Sequence, residues 1–278
     1  MTISSQPHDL PMLPPAYFME DPREAQRLAD KVEPDVWVSR FVLPYLTPTS
    51  HVLDVGCGPG VLATAIARHC PEGHVIALDQ SPSRAREAGA RLAHWGGSAV
   101  VGDAAALPFE DASFDLVCCR FLLEYLREPE LAVREMVRVC RPGGRVLLQD
   151  LDGQLLWHYP EDAELERQVL ATLAVLAGTG FDPFAGRKLW HYCYGAGLER
   201  LTSGVEVYHH YAGPIDSENN RLWSLKLDIA LPAAALALGG EAAAQSLKTR
   251  FLAYLERPDT FTYSNLVTVS GVRTAAHQ

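Results

Sequence analysis

A short apolar segment that runs directly into three closely spaced glycines is the feature that most constrains this chain. Residues 52–55 read Val-Leu-Asp-Val, which is typical of a buried parallel strand, and Gly56, Gly58 and Gly60 follow at once. Because glycine lacks a Cβ atom, a glycine at every second position lets the turn bend freely and lets a ligand lie against the main chain. The pattern predicts an α/β fold with a ligand-binding turn between a strand and a helix.

The spacing of these glycines argues against two common nucleotide sites. A dinucleotide fingerprint places its third glycine three residues after the second, but position 61 is valine and the third glycine is Gly60. The Gly-Lys-Ser/Thr ending of a phosphate-binding P-loop is also absent, and no lysine or arginine lies in the turn. A tight strand-to-helix turn without a ligand stays an alternative for this motif taken alone.

Two further predicted strands end near carboxylates. Residues 75–78 form an apolar run that ends at Asp79, about one βαβ unit downstream of the first strand. A carboxylate at such a strand end can accept hydrogen bonds from both hydroxyls of a ribose. Capping of the next helix is the alternative, but Ser81 could supply the cap while Asp79 binds the ligand. A third short strand, residues 99–101, ends shortly before Asp103.

The order of these segments resembles that of class I S-adenosylmethionine-dependent methyltransferases. Their first motif, Asp-x-Gly-x-Gly-x-Gly, begins here at Asp54, and their Lys-Pro-Gly-Gly turn is matched by Arg-Pro-Gly-Gly at residues 141–144. That turn follows an amphipathic helix predicted over residues 131–139 and precedes another buried strand. All four motifs lie in order within residues 50–150, and they are similar to the branch that includes the ubiquinone and menaquinone biosynthesis methyltransferases.

The resemblance implies S-adenosylmethionine as the cofactor, with Asp79 on its ribose and Asp103 near its adenine amino group. In similar enzymes an N-terminal helix folds over the cofactor, so that Arg27 would pair with the methionine carboxylate and Tyr17 would close the methyl end. An ion pair between Arg27 and Glu24 is the alternative. The residues expected to hold the cofactor are Tyr17, Arg27, Asp54, Gly56, Cys57, Gly58, Gly60, Asp79, Gln80, Asp103, Ala104 and Arg120.

The fold that the resemblance implies is a seven-stranded Rossmann-like methyltransferase sheet whose last two strands form an antiparallel hairpin. Residues 1–48 are expected to form an N-terminal helical cap, and residues 49–213 with 259–278 the methyltransferase core. Residues 214–258, rich in alanine and leucine, predict a helical lid inserted before the last strand. Because open α/β sheets bind ligands at the carboxyl ends of their strands, the cap, the lid and a loop after Asp150 should meet at one mouth.

The apolar residues of the predicted lid indicate what kind of acceptor the protein binds. Its apolar residues would give the mouth a hydrophobic wall and favour a hydrophobic or aromatic small molecule, but they would serve equally to pack the lid onto the core. These residues are Leu222, Trp223, Leu227 and Ile229. The methylated atom stays open between oxygen, carbon and nitrogen.

Methyl transfer is an in-line displacement at a sulfonium methyl, so the protein mainly has to hold the nucleophile close and exclude water. A general base matters only where the acceptor loses a proton. The candidates near the mouth are Glu124, beyond the fourth predicted strand, and Asp150 and His158, beyond the fifth. Histidine titrates near neutrality, which favours His158 as the base, and a loop histidine bonded to backbone is the alternative.

Composition narrows the partners of this 278-residue chain. A net charge of -10 repels a nucleic-acid backbone, and the Asn-Pro-Pro-Tyr signature of nucleic-acid amino-methyltransferases is absent. The six cysteines include no Cys-x-x-Cys pair, and His209 and His210 should face opposite sides of a strand, so no metal is expected. No apolar run approaches the roughly 20 residues that span a bilayer, and residues 1–15 lack the pattern of a signal peptide.

From these patterns we expect a cytoplasmic enzyme, monomeric or homodimeric, without membrane insertion. It would transfer a methyl group to a small molecule, plausibly in natural-product biosynthesis. The alternative is a protein that binds the cofactor without transferring methyl, as a partner subunit or as the catalyst of another reaction.

Overall fold

The computed structural model describes residues 33–274, except for the side chains of residues 154 and 155. In this part of the chain seven strands form one sheet with the order β3-β2-β1-β4-β5-β7-β6. The strands are β1 (His51–Val55), β2 (His74–Asp79), β3 (Ser98–Val101), β4 (Phe114–Arg120), β5 (Cys140–Tyr159), β6 (Glu199–Ala212) and β7 (Phe261–Val272). Strands β1 to β5 pair in parallel, whereas β7 is antiparallel to both β5 and β6. The predicted sheet and its final antiparallel hairpin are confirmed.

The helices of the described residues lie between these strands. They are α1 (Pro34–Trp37), α2 (Val61–Ala67), α3 (Pro82–Leu92), α4 (Pro129–Val139), α5 (Ala163–Ala177), α6 (Leu189–Gly195), α7 (Ser217–Leu238) and α8 (Glu241–Leu255). A π-helical turn, Val38–Val42, and a 3-10 turn, Leu43–Tyr45, follow α1 directly. Aspartates at two helix starts accept bonds from backbone amides, Asp162 from Leu165 and Asp216 from Asn219. No helix in this part of the chain is long and apolar enough to span a membrane.

The parallel strands are buried on both faces, which explains their continuous apolar runs. Because successive side chains of a strand point to opposite faces, Leu53 packs in a cluster with Met136 of α4, while Val52 packs with Ile66 of α2. Asp54 therefore shares the α2 side of the sheet. Leu148 belongs to the α4 cluster, so Asp150, two residues further along β5, faces the α4 side.

A third apolar cluster joins α5, α7 and α8 beside the extended ends of β5 and β7. Trp223 of α7, Phe251 of α8 and Leu165 of α5 are buried together there. The helical insertion predicted over residues 214–258 is therefore present between β6 and β7. Its action as a lid stays a prediction, as does a cap over residues 1–48, most of which lie outside the described residues.

Two predicted loops are parts of β5 instead. The prediction of a loop after Asp150 is wrong, because β5 continues to Tyr159 and pairs with β7 up to Phe261. The pairing has a register shift between Asp152 and Trp157. The predicted turn over residues 141–144 also lies within β5, at a shift in its pairing with β4. Backbone pairing with β7 supplies the hydrogen bonds that extend the strand, and a prediction from β5 alone lacks that partner.

Candidate functional site

A cavity opens where β1, β2 and β4 end, at the carboxyl edge of the sheet. Open α/β sheets bind their ligands at this edge. The wall contains nine of the ten described residues that the sequence predicts as cofactor ligands. They are Asp54, Gly56, Cys57, Gly58, Asp79, Gln80, Asp103, Ala104 and Arg120. The tenth, Gly60, does not line the cavity, and the predicted ligands Tyr17 and Arg27 lie outside the described residues.

The three glycines of the turn have positive φ angles of +73°, +54° and +80°, which favour glycine at each position. A Cβ atom on Gly60 would lie 2.6 Å from Ala88 Cβ, so this glycine permits close packing of the turn against α3. A Cβ atom on Gly58 would meet no protein atom within 4 Å. Because Gly58 lines the cavity, that open space is where a ligand can approach the main chain.

Asp79 joins the glycine turn to the end of β2. Its Oδ2 accepts a hydrogen bond from the Gly58 amide at 2.9 Å, and its Oδ1 accepts one from the Ser81 amide at 2.9 Å. Ser81 stands at the N-cap position of α3 as expected, but its hydroxyl contacts Ser83 Oγ at 2.9 Å and makes no capping bond to the helix backbone. Each carboxylate oxygen has a second lone pair, so Asp79 can still accept bonds from ribose hydroxyls.

Asp54 supplies a buried carboxylate to the same wall. Cys118 Sγ lies 3.8 Å from its Oδ1, but its Oδ2 has no hydrogen-bond partner among the residues that the structure describes. Burial, together with the nearby charge of Asp79, raises the pKa of Asp54 to about 7. A buried oxygen without a donor is costly, so this atom fits a ligand that brings a positively charged donor, such as an ammonium group.

Arg120, at the end of β4, adds a cation to the cavity wall. Its guanidinium donates from Nε to Gln149 Oε1 at 2.9 Å and stacks over the Phe121 ring, with 3.9 Å from Cζ to the ring centroid. Burial lowers the pKa of Arg120 from its ordinary value. Trp37 Nε1 donates to the same Gln149 oxygen at 2.8 Å, so α1 is attached beside this arginine.

The strand order sets these charges in a row. Asp79, Asp54 and Arg120 stand on β2, β1 and β4, which are neighbours in the sheet. With roughly 4.8 Å between neighbouring strands, the row spans about 10 Å. This arrangement fits S-adenosylmethionine: a carboxylate for the ribose, then a carboxylate and a guanidinium for the charged methionine end.

The candidate bases Glu124 and Asp150 lie together, but neither lines the cavity. Both are buried, and the backbone amide of Glu124 donates to Asp150 Oδ2 at 3.1 Å while the Leu151 amide donates to Oδ1 at 2.9 Å. Burial and the neighbouring Glu124 raise the pKa of Asp150 well above its ordinary value. Glu124 lies between Leu122 and Leu126, which do line the cavity, so the pair supports the wall from behind.

The structure places His158 away from this cavity, within β5 and opposite Thr262 of β7. Its Nδ1 lies 2.9 Å from Thr262 Oγ1, and its ring packs against Phe251 and Tyr254 of α8. The prediction that His158 lies in a loop at the mouth of the cavity is therefore wrong. Its position in a strand also differs from the alternative of a histidine in a loop.

The predicted lid residues are mainly packing residues. Leu222, Trp223 and Leu227 are buried, and Trp223 Nε1 donates to Tyr211 Oη at 3.1 Å. None of them lines the cavity at β1, β2 and β4. The apolar part of the wall comes instead from residues that sequence reasoning missed or mentioned only in passing, which are Leu62, Phe121, Leu122 and Leu126. The apolar spacing after β4 was the only signal for Phe121, Leu122 and Leu126, whereas Leu62 lies in α2. The buried Arg84 of the same wall had no signal, because it reads as a surface residue of α3.

Comparison with known proteins agrees with this geometry. Residues 53–148 match the family model described as a methyltransferase domain. An uncharacterized methyltransferase of Schizosaccharomyces pombe is 32% identical over 158 residues, covering 54% of this chain and 56% of that protein. The malonyl-(acyl-carrier protein) O-methyltransferase of Herminiimonas arsenicoxydans is 40% identical over 104 residues, covering 37% and 38%. The chain thus spans about half the length of the first relative and less of the second.

A solved structure shows the same fold. The phosphoethanolamine N-methyltransferase 2 of Haemonchus contortus, in complex with S-adenosyl-L-methionine, superposes with a TM-score of 0.54 at 16% identity. The match covers 90% of this chain and 52% of that one. The family match contains Asp54, the glycine turn and Asp79, which build the cavity described above. Residues 53–148 of this chain are therefore similar to a methyltransferase domain, and the cavity is built within that matched part.

Proposed function

We propose that this protein transfers a methyl group from S-adenosylmethionine to a small, hydrophobic or aromatic acceptor. The observation that carries the proposal is the unpartnered, buried Oδ2 of Asp54, set between Asp79 on one side and Arg120 on the other. That row matches the order of ribose, ammonium and carboxylate along the cofactor. A plain structural turn has no need of a buried carboxylate without a donor.

Different residues of the chain bind different parts of the cofactor. Asp79 accepts the ribose hydroxyls, Asp54 the ammonium group, and Gly58 leaves the space that the ligand needs beside the main chain. Asp103, at the far end of the row, borders the adenine side. When bound, the cofactor supplies the electrophilic methyl group of its sulfonium. The protein contributes orientation and the exclusion of water, which are sufficient for an acceptor with a free lone pair.

The acceptor enters from the β4 and β5 side, where Phe121, Leu122 and Leu126 make the wall apolar. Helix α1 serves as a cap, and the helices of residues 214–258 serve as a lid. Within this scheme Glu124 and Asp150 are positioning residues: the buried pair fixes the segment that carries Leu122 and Leu126. One of the matched relatives methylates an oxygen, according to its name, and the acceptor atom here is oxygen, carbon or nitrogen.

The test is turnover of methyl-labelled S-adenosylmethionine by the full chain in the presence of a metabolite extract. We expect S-adenosylhomocysteine to form together with a labelled small molecule. Binding without labelled product would support the alternative, a protein that uses the cofactor for another purpose. Failure to bind S-adenosylmethionine at all would contradict the proposal.

A variant tests the assignment of the cofactor site itself. Asp79→Ala removes charge-assisted hydrogen bonds worth about 1.5–3 kcal/mol each, so cofactor affinity should fall at least tenfold by calorimetry. The matched control is Asp35→Ala, which removes an exposed carboxylate paired with Arg68 and should leave affinity unchanged. Unchanged affinity in a folded Asp79→Ala protein would show that the ribose lies elsewhere.

A further inference from the structure

A second cavity, of about 310 Å³, lies in the helical part of the molecule. Its walls come from the end of β5, the start of α5, Tyr254 of α8, and Phe261 and Tyr263 of β7. Gln149, which touches Arg120 at the first cavity, pairs with Thr268, whereas His158 in the second cavity pairs with Thr262. Six residues of β7 separate the two positions. At roughly 3.4 Å per residue these two positions of β7 lie about 20 Å apart, so the second cavity is a site separate from the first.

Aromatic rings, with His158 counted among them, belong to six of the twelve residues that line this second cavity. The rings of Trp157 and Tyr263 are stacked, with centroids 6.4 Å apart and planes 18° apart, and His158 packs against Tyr254 at 5.2 Å. Two further rings stand at the rim, since Tyr159 is 70% exposed and Phe261 is 42% exposed. Trp157 Nε1 is shielded from solvent and has no hydrogen-bond partner among the described residues. The cavity thus offers ring faces to an occupant.

The charge of the wall is negative. Glu161, Asp162 and Glu166 line the cavity, and its lining includes no lysine or arginine. Arg250 neutralises Asp162, with 2.6 Å between Nη2 and Oδ1. Within residues 33–274, Glu161 and Glu166 form no ion pair. Two uncompensated carboxylates therefore stand at a mouth edged with aromatic rings.

We propose that this second cavity binds an organic cation, an ammonium group carried on a small apolar body. The ring faces carry negative electrostatic potential and attract cations within about 6 Å of a ring centroid, which is the principle of aromatic cages for quaternary ammonium ligands. Glu161 and Glu166 add attraction at the entrance. Anions are repelled, and a purely apolar ligand gains nothing from the carboxylates.

The experiment is calorimetric titration of the full chain with choline and, in parallel, with 3,3-dimethyl-1-butanol, which has the same shape without the charge. S-Adenosylhomocysteine is present at saturation, so that the cofactor cavity is filled. We expect choline to bind and the neutral alcohol to bind at least tenfold more weakly. Changes in tryptophan fluorescence on addition of choline give a second readout, because Trp157 lies in the wall.

Two variants and one matched control locate the binding. Phe261→Leu removes a rim ring, and Glu166→Gln removes a carboxylate while keeping its size, so each should weaken choline binding by roughly threefold to tenfold. Glu164→Gln changes the same helix two residues away, where the carboxylate is paired with Arg167 and lies outside the cavity lining, and it should have no effect.

Three results would overturn the proposal. The first is no choline binding by the folded protein, and the second is equal binding of choline and the neutral alcohol. The third is binding that neither Phe261→Leu nor Glu166→Gln weakens. None of these results bears on methyl transfer, since the proposal does not depend on the proposed function and its readout is ligand binding alone.

Discussion

The two cavities of this molecule are built in opposite ways on one sheet. The first takes its shape from a single turn after β1, in which three glycines with positive φ bring the main chain against the ligand space. The second takes its walls from side chains of β5, α5, α8 and β7, which are up to about a hundred residues apart in sequence. A local motif therefore specifies the first cavity, whereas tertiary packing specifies the second. The two should respond differently to substitution.

The largest effect is expected from Gly58→Val, because the new side chain would fill the space beside the cofactor turn. Cofactor affinity should fall more than a hundredfold by calorimetry. The matched control is Gly96→Val: Gly96 also has a positive φ, +72°, and open space around its Cβ position, but it lies outside the cavity. Both variants carry the same kind of backbone strain. Equal loss of binding in both would show that strain, and not occupation of the cavity, is responsible.

Trp223→Ala should affect the other region, through stability. Its buried ring lies 5.0 Å from the His209 ring and 5.6 Å from the Phe251 ring, and such truncations cost about 3–5 kcal/mol. Urea denaturation should detect this loss, while the affinity for S-adenosylhomocysteine stays within about twofold. The control Trp190→Ala removes a ring that is 46% exposed and should cost about 0.5 kcal/mol or less. A parallel loss of cofactor affinity in Trp223→Ala would mean that the helical layer holds the cofactor cavity in shape.

The difference between the two cavities also explains which features could be predicted from the sequence. Asp54, Gly58 and Asp79 are local signals at the ends of two buried strands, and all three line one cavity. The sheet follows from the same periodicity, since apolar runs between turn signals specify parallel strands. The local sequence pattern around Asp54 and Asp79 was therefore sufficient to predict their place at the cavity.

The second half could not be predicted in the same way. The extension of β5 to Tyr159 depends on pairing with β7, which begins about a hundred residues later, so His158 was expected in a loop. The roles of Leu222 and Leu227 depend on which face of α7 meets α5, and the apolar residues of α7 are spread too widely around the helix to show that. Gly60 was expected to touch the cofactor, but its close contact with Ala88 arises only when α3 packs onto the turn.

A change of pH should alter the affinity of the first cavity for its ligand about tenfold. The Asp54 carboxyl, with its pKa raised to about 7, is mostly protonated at pH 6 and mostly ionised at pH 8 in the free protein. A bound ammonium group favours the ionised form, so binding releases a proton and affinity should rise with pH by about tenfold from pH 6 to pH 8. Calorimetry with S-adenosylhomocysteine measures the trend.

Asp54→Asn separates this effect from other titrations. The amide keeps the size of the side chain but cannot ionise, so the variant should bind more weakly above pH 7 and lose the pH dependence. Asp103→Asn, which alters a carboxylate of the same wall at the other end of the row, should keep the wild-type trend. If the wild-type affinity did not change between pH 6 and pH 8, Asp54 would not be the ammonium ligand.

The smallest effect on turnover is expected from His158→Ala, which tests whether the second region takes part in the reaction. The sequence suggested a general base, whose loss typically costs 10²–10⁴-fold in rate. The structure instead places the ring against Phe251 and Tyr254, roughly 20 Å along β7 from Gln149. Because a base must come within hydrogen-bond reach of the acceptor, kcat should stay within about threefold of wild type, with an unaltered pH profile. Steady-state kinetics measures both, and a hundredfold fall in kcat with unchanged KM would mean that the helical layer closes over the acceptor and brings the second region into the reaction.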